Sequence, residues 1–153
     1  MINLGNDSDG DQMSIRGSCL CGGIRFRFGS VLRLANCHCS ICRKAHGAAF
    51  ATFAIVPMEH YELLSGEELI ASFKSSEQHT RHFCRVCGAS LPYQTKPDFM
   101  DVPASLLDDD PGVRPRVNIF ATSHAPWFEI ADGLPQYEGW TRDAQGNPLK
   151  PIS

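Results

Sequence analysis

The 153-residue chain has no apolar run approaching the roughly 20 residues of a membrane-spanning helix, which excludes such a helix within it. It has no basic excess either. Its 14 Lys and Arg stand against 17 Asp and Glu, a formal charge of -3, so the broad cationic surface of a nucleic-acid binder is missing. The opening residues "MINLGNDSDGDQMS" lack the charged-then-apolar layout of a secretory leader, and the expected setting is the reducing cytoplasm. No segment repeats, and no Gly/Ser-rich linker divides the chain. One domain is expected over residues 15–140, flanked by a polar, disordered tail over 1–14 and an irregular C-terminal tail over 141–153.

Long helical periodicity is also absent. Ten short runs with β-branched or alternating apolar residues follow one another instead: "IRGSCL", "GIRFRFG", "VLRLANC", "AAFATFAIV", "YELLSG", "LIASFKS", "HTRHFC", "ASLPYQT", "FMDVPASL" and "RVNIFATS". Gly, Pro, Asn or Asp punctuates most of the joins, which predicts an all-β fold. In "IRFRF", Ile24, Phe26 and Phe28 fall on one face and Arg25 and Arg27 on the other. The one helical turn expected is Ser40–His46, closed by Gly47. Residues 108–115, "DDDPGVRP", read as a turn or loop.

What the chain does have is seven cysteines, an odd number that fits no closed disulfide framework. They fall as C-x-C (Cys19, Cys21), C-x-C-x-x-C (Cys37, Cys39, Cys42) and C-x-x-C (Cys84, Cys87). Thiols two apart on an extended strand face the same way, and the x-x spacing of "CRVCG" folds back as a tight turn for which Gly88 supplies the backbone freedom. Such pairs suit tetrahedral zinc. Cys19, Cys21, Cys84 and Cys87 make a closed four-thiolate structural site, and Cys37, Cys39 and Cys42 a three-thiolate site with an open fourth position. Seven is then four plus three. An iron–sulfur cluster uses the same ligands, and His46 or His82 would complete a second structural site. His38, between two ligands, is expected to point away.

The segments "GSCLCGGIRF", "CHCSICRKAHGAAFATFA", "FCRVCGASL" and "SHAPWFEIADGLPQYE" resemble the glutathione-dependent formaldehyde-activating enzyme family, which includes centromere protein V. The resemblance runs from about Ile15 to Tyr137 and takes in all seven cysteines. It implies a β-tent of antiparallel sheets built around structural zinc on Cys19, Cys21, Cys84 and Cys87, with catalytic zinc on Cys37, Cys39 and Cys42. It implies carbon–sulfur lyase chemistry joining formaldehyde and glutathione, or reversing that step. His124, in "SHAPW", stands where the family pattern carries a lysine.

The expectation is therefore two zinc ions per chain, the second in a site open to ion loss, and a small-molecule thiol and aldehyde as partners, with glutathione a candidate thiol. Arg43 and Lys44 follow the triad and are candidates for offsetting its charge and receiving a carboxylate. Lys44 reads better as a solvated charge. His46 and His82 are candidate proton carriers, Trp127 and Phe128 candidate pocket walls, Glu129 and Asp132 candidate acid–base groups, and Ser90 a plain strand residue. Two other functions fit the thiols: a non-catalytic zinc-stabilised binding module, and a thiol redox sensor.

Overall fold

The computed structural model describes residues 14–153, so the tail expected over 1–14 lies, Ser14 apart, outside the described residues. All ten runs contain strands: β1 Ile15–Ser18, β2 Arg25–Phe28, β3 Arg33–Cys37, β4 Ala51–Pro57, β5 Tyr61–Ser65, β6 Ile70–Lys74, β7 Thr80–Cys84, β8 Tyr93–Lys96, β9 Phe99–Pro103 and β10 Pro115–Ile119. The helix α1 spans Ser40–His46. The fold is all-β with one short helix.

The strands make a three-stranded sheet β1-β2-β5, a five-stranded sheet β10-β3-β4-β9-β8 and a two-stranded ribbon β6-β7. Pairing is antiparallel except between β10 and β3, which run parallel. That pair departs from the expected antiparallel architecture for a topological reason. A parallel neighbour needs a long crossover, and the chain between β3 and β10 passes through α1 and six other strands before returning.

Alternation assigns each face of the large sheet a separate task. Leu34, Ala54, Val56, Met100 and Val102 face the three-stranded sheet and pack with Phe26 and Phe28 as the main core. Ala35, Cys37, Phe53, Ile55, Val117 and Ile119 face the other way and line a cavity. Gly66, at φ 85°, joins β5 to the next turn in a left-handed conformation, and a Cβ there would collide with the Gly23 carbonyl.

Residues 141–153 carry a tight turn in which the Asp143 carboxylate accepts from the amides of Gln145 and Asn147. The final residues return to the body of the protein, where the Gln136 amide donates to the Ser153 carbonyl and the Ile152 amide to the Gln136 carbonyl.

Candidate metal centres

The chain brings its seven thiols together in two groups: Cys19, Cys21, Cys84 and Cys87, and Cys37, Cys39 and Cys42, the sulfurs within each group lying within 4.8 Å of one another. In the first group, Cys19 and Cys21 lie in the turn between β1 and β2 rather than on an extended strand. The Gly22 amide closes that turn on the Cys19 carbonyl at 2.9 Å. Cys84 ends β7, and the Gly88 amide folds back to its carbonyl at 2.8 Å with Gly88 at φ 75°. The two turns meet over a small apolar cluster containing Ile24 and Leu91.

Sulfur spacing tests whether a metal fits. A tetrahedral zinc with arms of about 2.3 Å holds neighbouring thiolates about 3.8 Å apart. The Cys19–Cys21 and Cys21–Cys84 sulfurs are separated by 3.5 and 3.8 Å. The Ile24 amide also donates to the Cys19 sulfur at 3.3 Å, a contact that favours thiolate over thiol. The four residues fit a closed tetrahedral ion.

The second group is local. Cys37 ends β3, Cys39 is the N-cap of α1 and accepts from the Cys42 amide at 3.3 Å, and Cys42 is buried in the first turn of the helix. Gly47, at φ 58°, ends the helix by donating its amide to the Arg43 carbonyl. Hydrogen bonds from Cys37, then Cys42, hold Cys39 far below the usual thiol range, while the same contact with Cys39 pushes Cys37 up.

These three thiols floor a cavity of about 300 Å³. Its walls are mostly apolar, with Phe53, Ile55, Ile119, Phe120 and Trp140 among them, and Arg81 reaches in from β7. The Arg81 guanidinium donates to the Cys42 sulfur at 3.3 Å and stacks 4.7 Å over the Tyr93 ring, while its Nε is buried without a hydrogen-bond partner. Phe120 is the non-glycine residue with positive φ among those described, at 53°, and its ring meets Trp140 edge-on at 5.1 Å. Such a backbone is uncommon for a bulky side chain, and here both rings line the cavity.

Several sequence candidates lie elsewhere. Arg43 is committed to backbone, donating to the carbonyls of His38 and Ser123, so it is not placed to receive a substrate carboxylate. Lys44 is exposed beside Trp127, itself 73% exposed. No histidine joins the three-cysteine group among the described residues. His46 packs its edge on Phe53, and burial, then the Arg81 charge, lowers it to about 4. His82 shares a hydrogen bond with Ser72 on the ribbon.

His38 points away, into a buried polar row. Its Nε2 lies 2.8 Å from Asn118 Oδ1, which also accepts from Asn36, so the His38 proton sits on Nε2. Asn118 in turn donates to both carboxylate oxygens of Asp132, which gives Asp132 a structural partner rather than a place in the cavity. Phe128 covers His38 and Phe50. Glu129 is exposed, and His124 bonds the Ala121 carbonyl. Ser90 donates to the Ala45 carbonyl at 2.8 Å, tying the Cys84–Cys87 turn to the end of α1.

Sequence reasoning missed Arg81, Tyr93 and Asp101, all of which line the cavity. Two had a readable signal. Arg81 is a cation inside a strand run, and Asp101 is a lone acid within the apolar "FMDVP". Tyr93 had none, since an aromatic in a strand is ordinary.

Among the described residues, no helix is long and apolar enough to cross a membrane. The family model described as glutathione-dependent formaldehyde-activating enzyme matches residues 14–123. A Halomonas elongata protein carrying the provisional name of glutathione-dependent formaldehyde-activating enzyme is 33% identical over a 132-residue alignment that covers 77% of this chain and 82% of the relative. A crystal structure of a Rhodobacter sphaeroides protein superposes with a TM-score of 0.50 at 26% identity, covering 66% of this chain and 92% of the other. Matched by the family model over most of its length, the chain belongs to the glutathione-dependent formaldehyde-activating enzyme family.

Proposed function

We propose that the protein is a zinc-dependent carbon–sulfur lyase that joins a glutathione-like thiol to a small aldehyde such as formaldehyde, or releases it again. In this reading Cys19, Cys21, Cys84 and Cys87 hold a structural zinc, and Cys37, Cys39 and Cys42 a catalytic one. The observation that carries it is the position of the three-thiol cluster, on the floor of an apolar cavity with a guanidinium beside it. A zinc ion held there supplies an open coordination position and favours the thiolate form of an incoming thiol.

The chain's own residues account for the rest. Three thiolates outweigh one divalent ion by a single negative charge, and the Arg81 guanidinium at Cys42 offsets it. Phe53, Ile119 and Tyr93 exclude water from the floor, which strengthens each polar contact there. In the forward direction a carbon–sulfur bond forms, the carbonyl π bond opens, and the thiol proton passes to the aldehyde oxygen. The Arg81 guanidinium, which lines the cavity beside Cys42, supplies a hydrogen-bond donor for that oxygen as it gains charge.

Native mass spectrometry of the full chain, paired with exchange NMR on glutathione and formaldehyde, tests the reading. Two zinc ions per chain and accelerated formation of S-hydroxymethylglutathione are expected. A protein with both ions bound that accelerates no thiol–aldehyde pair would overturn it.

A further inference from the structure

Arg33, Ile55, Asp101 and Tyr93 stand in one row across the five-stranded sheet, each paired with the next. All four line the cavity. Cys37 lies on the same strand as Arg33, four residues on, which sets their Cα atoms about 13 Å apart. The cavity therefore has two polar ends. Sulfur and Arg81 occupy one, and Arg33, Asp101 and Thr95 the other, with apolar walls between.

Asp101 is out of place by composition. Its neighbours Met100 and Val102 are core residues, and Asp101 itself is 8% exposed. Burial pushes its carboxyl up against the pull of hydrogen bonds from the Thr95 hydroxyl and backbone, and among the described residues no cation lies within ion-pair distance. Arg33 and His79 act on it only from further away. A buried carboxylate without a counter-ion is costly, and one that lines a cavity is relieved when a ligand brings the cation. Arg33 is exposed and, among the described residues, makes a single long contact, 3.4 Å to the Thr141 hydroxyl, which leaves most of its five donors available to a ligand.

We infer that this far end receives the zwitterionic α-amino-acid head of the substrate thiol, with Asp101 taking the ammonium group and Arg33 the carboxylate. The inference rests on the reading of the three-cysteine end as the thiol site. Charge and length both fit. One ammonium and one carboxylate match one acid and one guanidinium, whereas a purely apolar thiol leaves Asp101 without a counter-charge. In a γ-glutamyl thiol such as glutathione, seven bonds separate the sulfur from the α-carbon of the head, about 9 Å when extended, which lies within the span of the cavity. The row makes Asp101 and Arg33 specificity residues, remote from the bond that forms.

Calorimetric titration of the full chain with S-methylglutathione and with its glutaryl analogue tests this. The analogue lacks only the ammonium group, and in both ligands the sulfur is blocked, so binding does not depend on the lyase step. Loss of the ammonium is expected to weaken binding by about tenfold or more. Asp101→Asn should weaken S-methylglutathione to the level of the analogue and leave the analogue unchanged, while Arg33→Met should weaken both. Equal binding of the two ligands by the unaltered protein, binding of neither, or an Asp101→Asn loss shared by both would overturn the inference. A purely structural Asp101 gives that shared loss, and the comparison on the unaltered protein needs no variant to fold. Head-group preference without turnover would defeat the lyase reading and leave this one standing; turnover without preference would do the reverse.

Discussion

Cys84 follows Cys21 by 63 positions, yet their sulfurs lie 3.8 Å apart, whereas Cys37, Cys39 and Cys42 fall within six positions of one another. The first cluster joins two remote turns over an apolar patch containing Ile24 and Leu91, with no charged side chain hydrogen-bonded to its sulfurs among the described residues. The second is assembled by one strand end and one helical turn, and it opens onto a cavity with Arg81 at its edge. The same donor atom thus serves two purposes. A cluster that closes a long loop stabilises the fold, because the entropy of holding its ends together would otherwise oppose folding. A cluster that closes almost no loop contributes little in that way, and its surroundings are suited to chemistry.

Replacing one cysteine in each cluster sharpens this contrast most strongly. Structural zinc contributes about 10–16 kcal/mol in finger peptides, as much as the whole stability of a typical domain. Cys84→Ser should therefore abolish the cooperative thermal transition, followed by circular dichroism. Cys39→Ser should keep that transition within about 10 °C of the unaltered protein, since a loss near 1 kcal/mol moves a domain of this size by only a few degrees. Its turnover should fall by about 100-fold or more, because an ordered ligand set is needed to present the open position. Equal damage to the two melts would erase the distinction between the clusters.

Arg81 asks a narrower question of the three-cysteine cluster. Arg81→Met keeps the apolar stem over Tyr93 and removes the charge beside Cys42. A fall of about 100-fold in kcat/KM, carried mainly by kcat, is expected for the loss of one donor aimed at developing charge. A change confined to KM would mean that the guanidinium binds substrate without assisting the reaction.

Much of this arrangement was legible in the sequence. The two-residue period in "IRFRF" fixed which face of β2 joins the core, and the spacing of the cysteines carried their division into four and three, which the folded chain reproduces as two groups of neighbouring sulfurs. The helical turn was legible from its Gly47 stop. What stayed hidden depended on pairing between distant strands. Alternation along β9 cannot reveal that Asp101 shares a row with Arg33, because that row exists only once β3, β4 and β9 are in register. Arg43 misled for the opposite reason. Its closeness to the triad in sequence suggested a ligand-binding role, but the helix turns it toward the carbonyls of His38 and Ser123.

The polar row under β3 supports the three-cysteine loop from behind. Asn118 bridges His38, Asn36 and Asp132, and it is fully buried. Asn118→Ala strips the buried His38 Nε2 of its partner, while Asn36 keeps its bond from Thr52 and the exposed Asp132 keeps its bond from the Leu134 amide, a loss of about 1–3 kcal/mol. Chemical denaturation should register it as a lower midpoint with an unchanged slope. Because the network lies on the core side of the sheet, opposite the cavity, KM for the thiol should change little, which separates support of the loop from recognition of the substrate.

The smallest effect belongs to His46, on the helix between the two clusters, where α1 meets the Ser90 turn. Burial first, and the Arg81 charge second, lower its pKa to about 4, so the folded protein holds it neutral. The unfolded chain binds a proton at the ordinary value of 6.5. Between pH 6.5 and pH 4 the unfolded state therefore carries more protons, and stability is lost as pH falls through that window. The loss amounts to about 1–2 kcal/mol, less than the full shift implies because the ring is only partly buried. His46→Phe keeps the contact with Phe53 and removes the titration. Denaturation midpoints at pH 7.5 and pH 5 should then lie closer together in the variant than in the unaltered protein. Acid release of metal from the thiolates acts on both proteins alike, so the difference between them isolates the histidine. An identical pH slope in the two would mean that the cysteines alone set the acid limit of the fold.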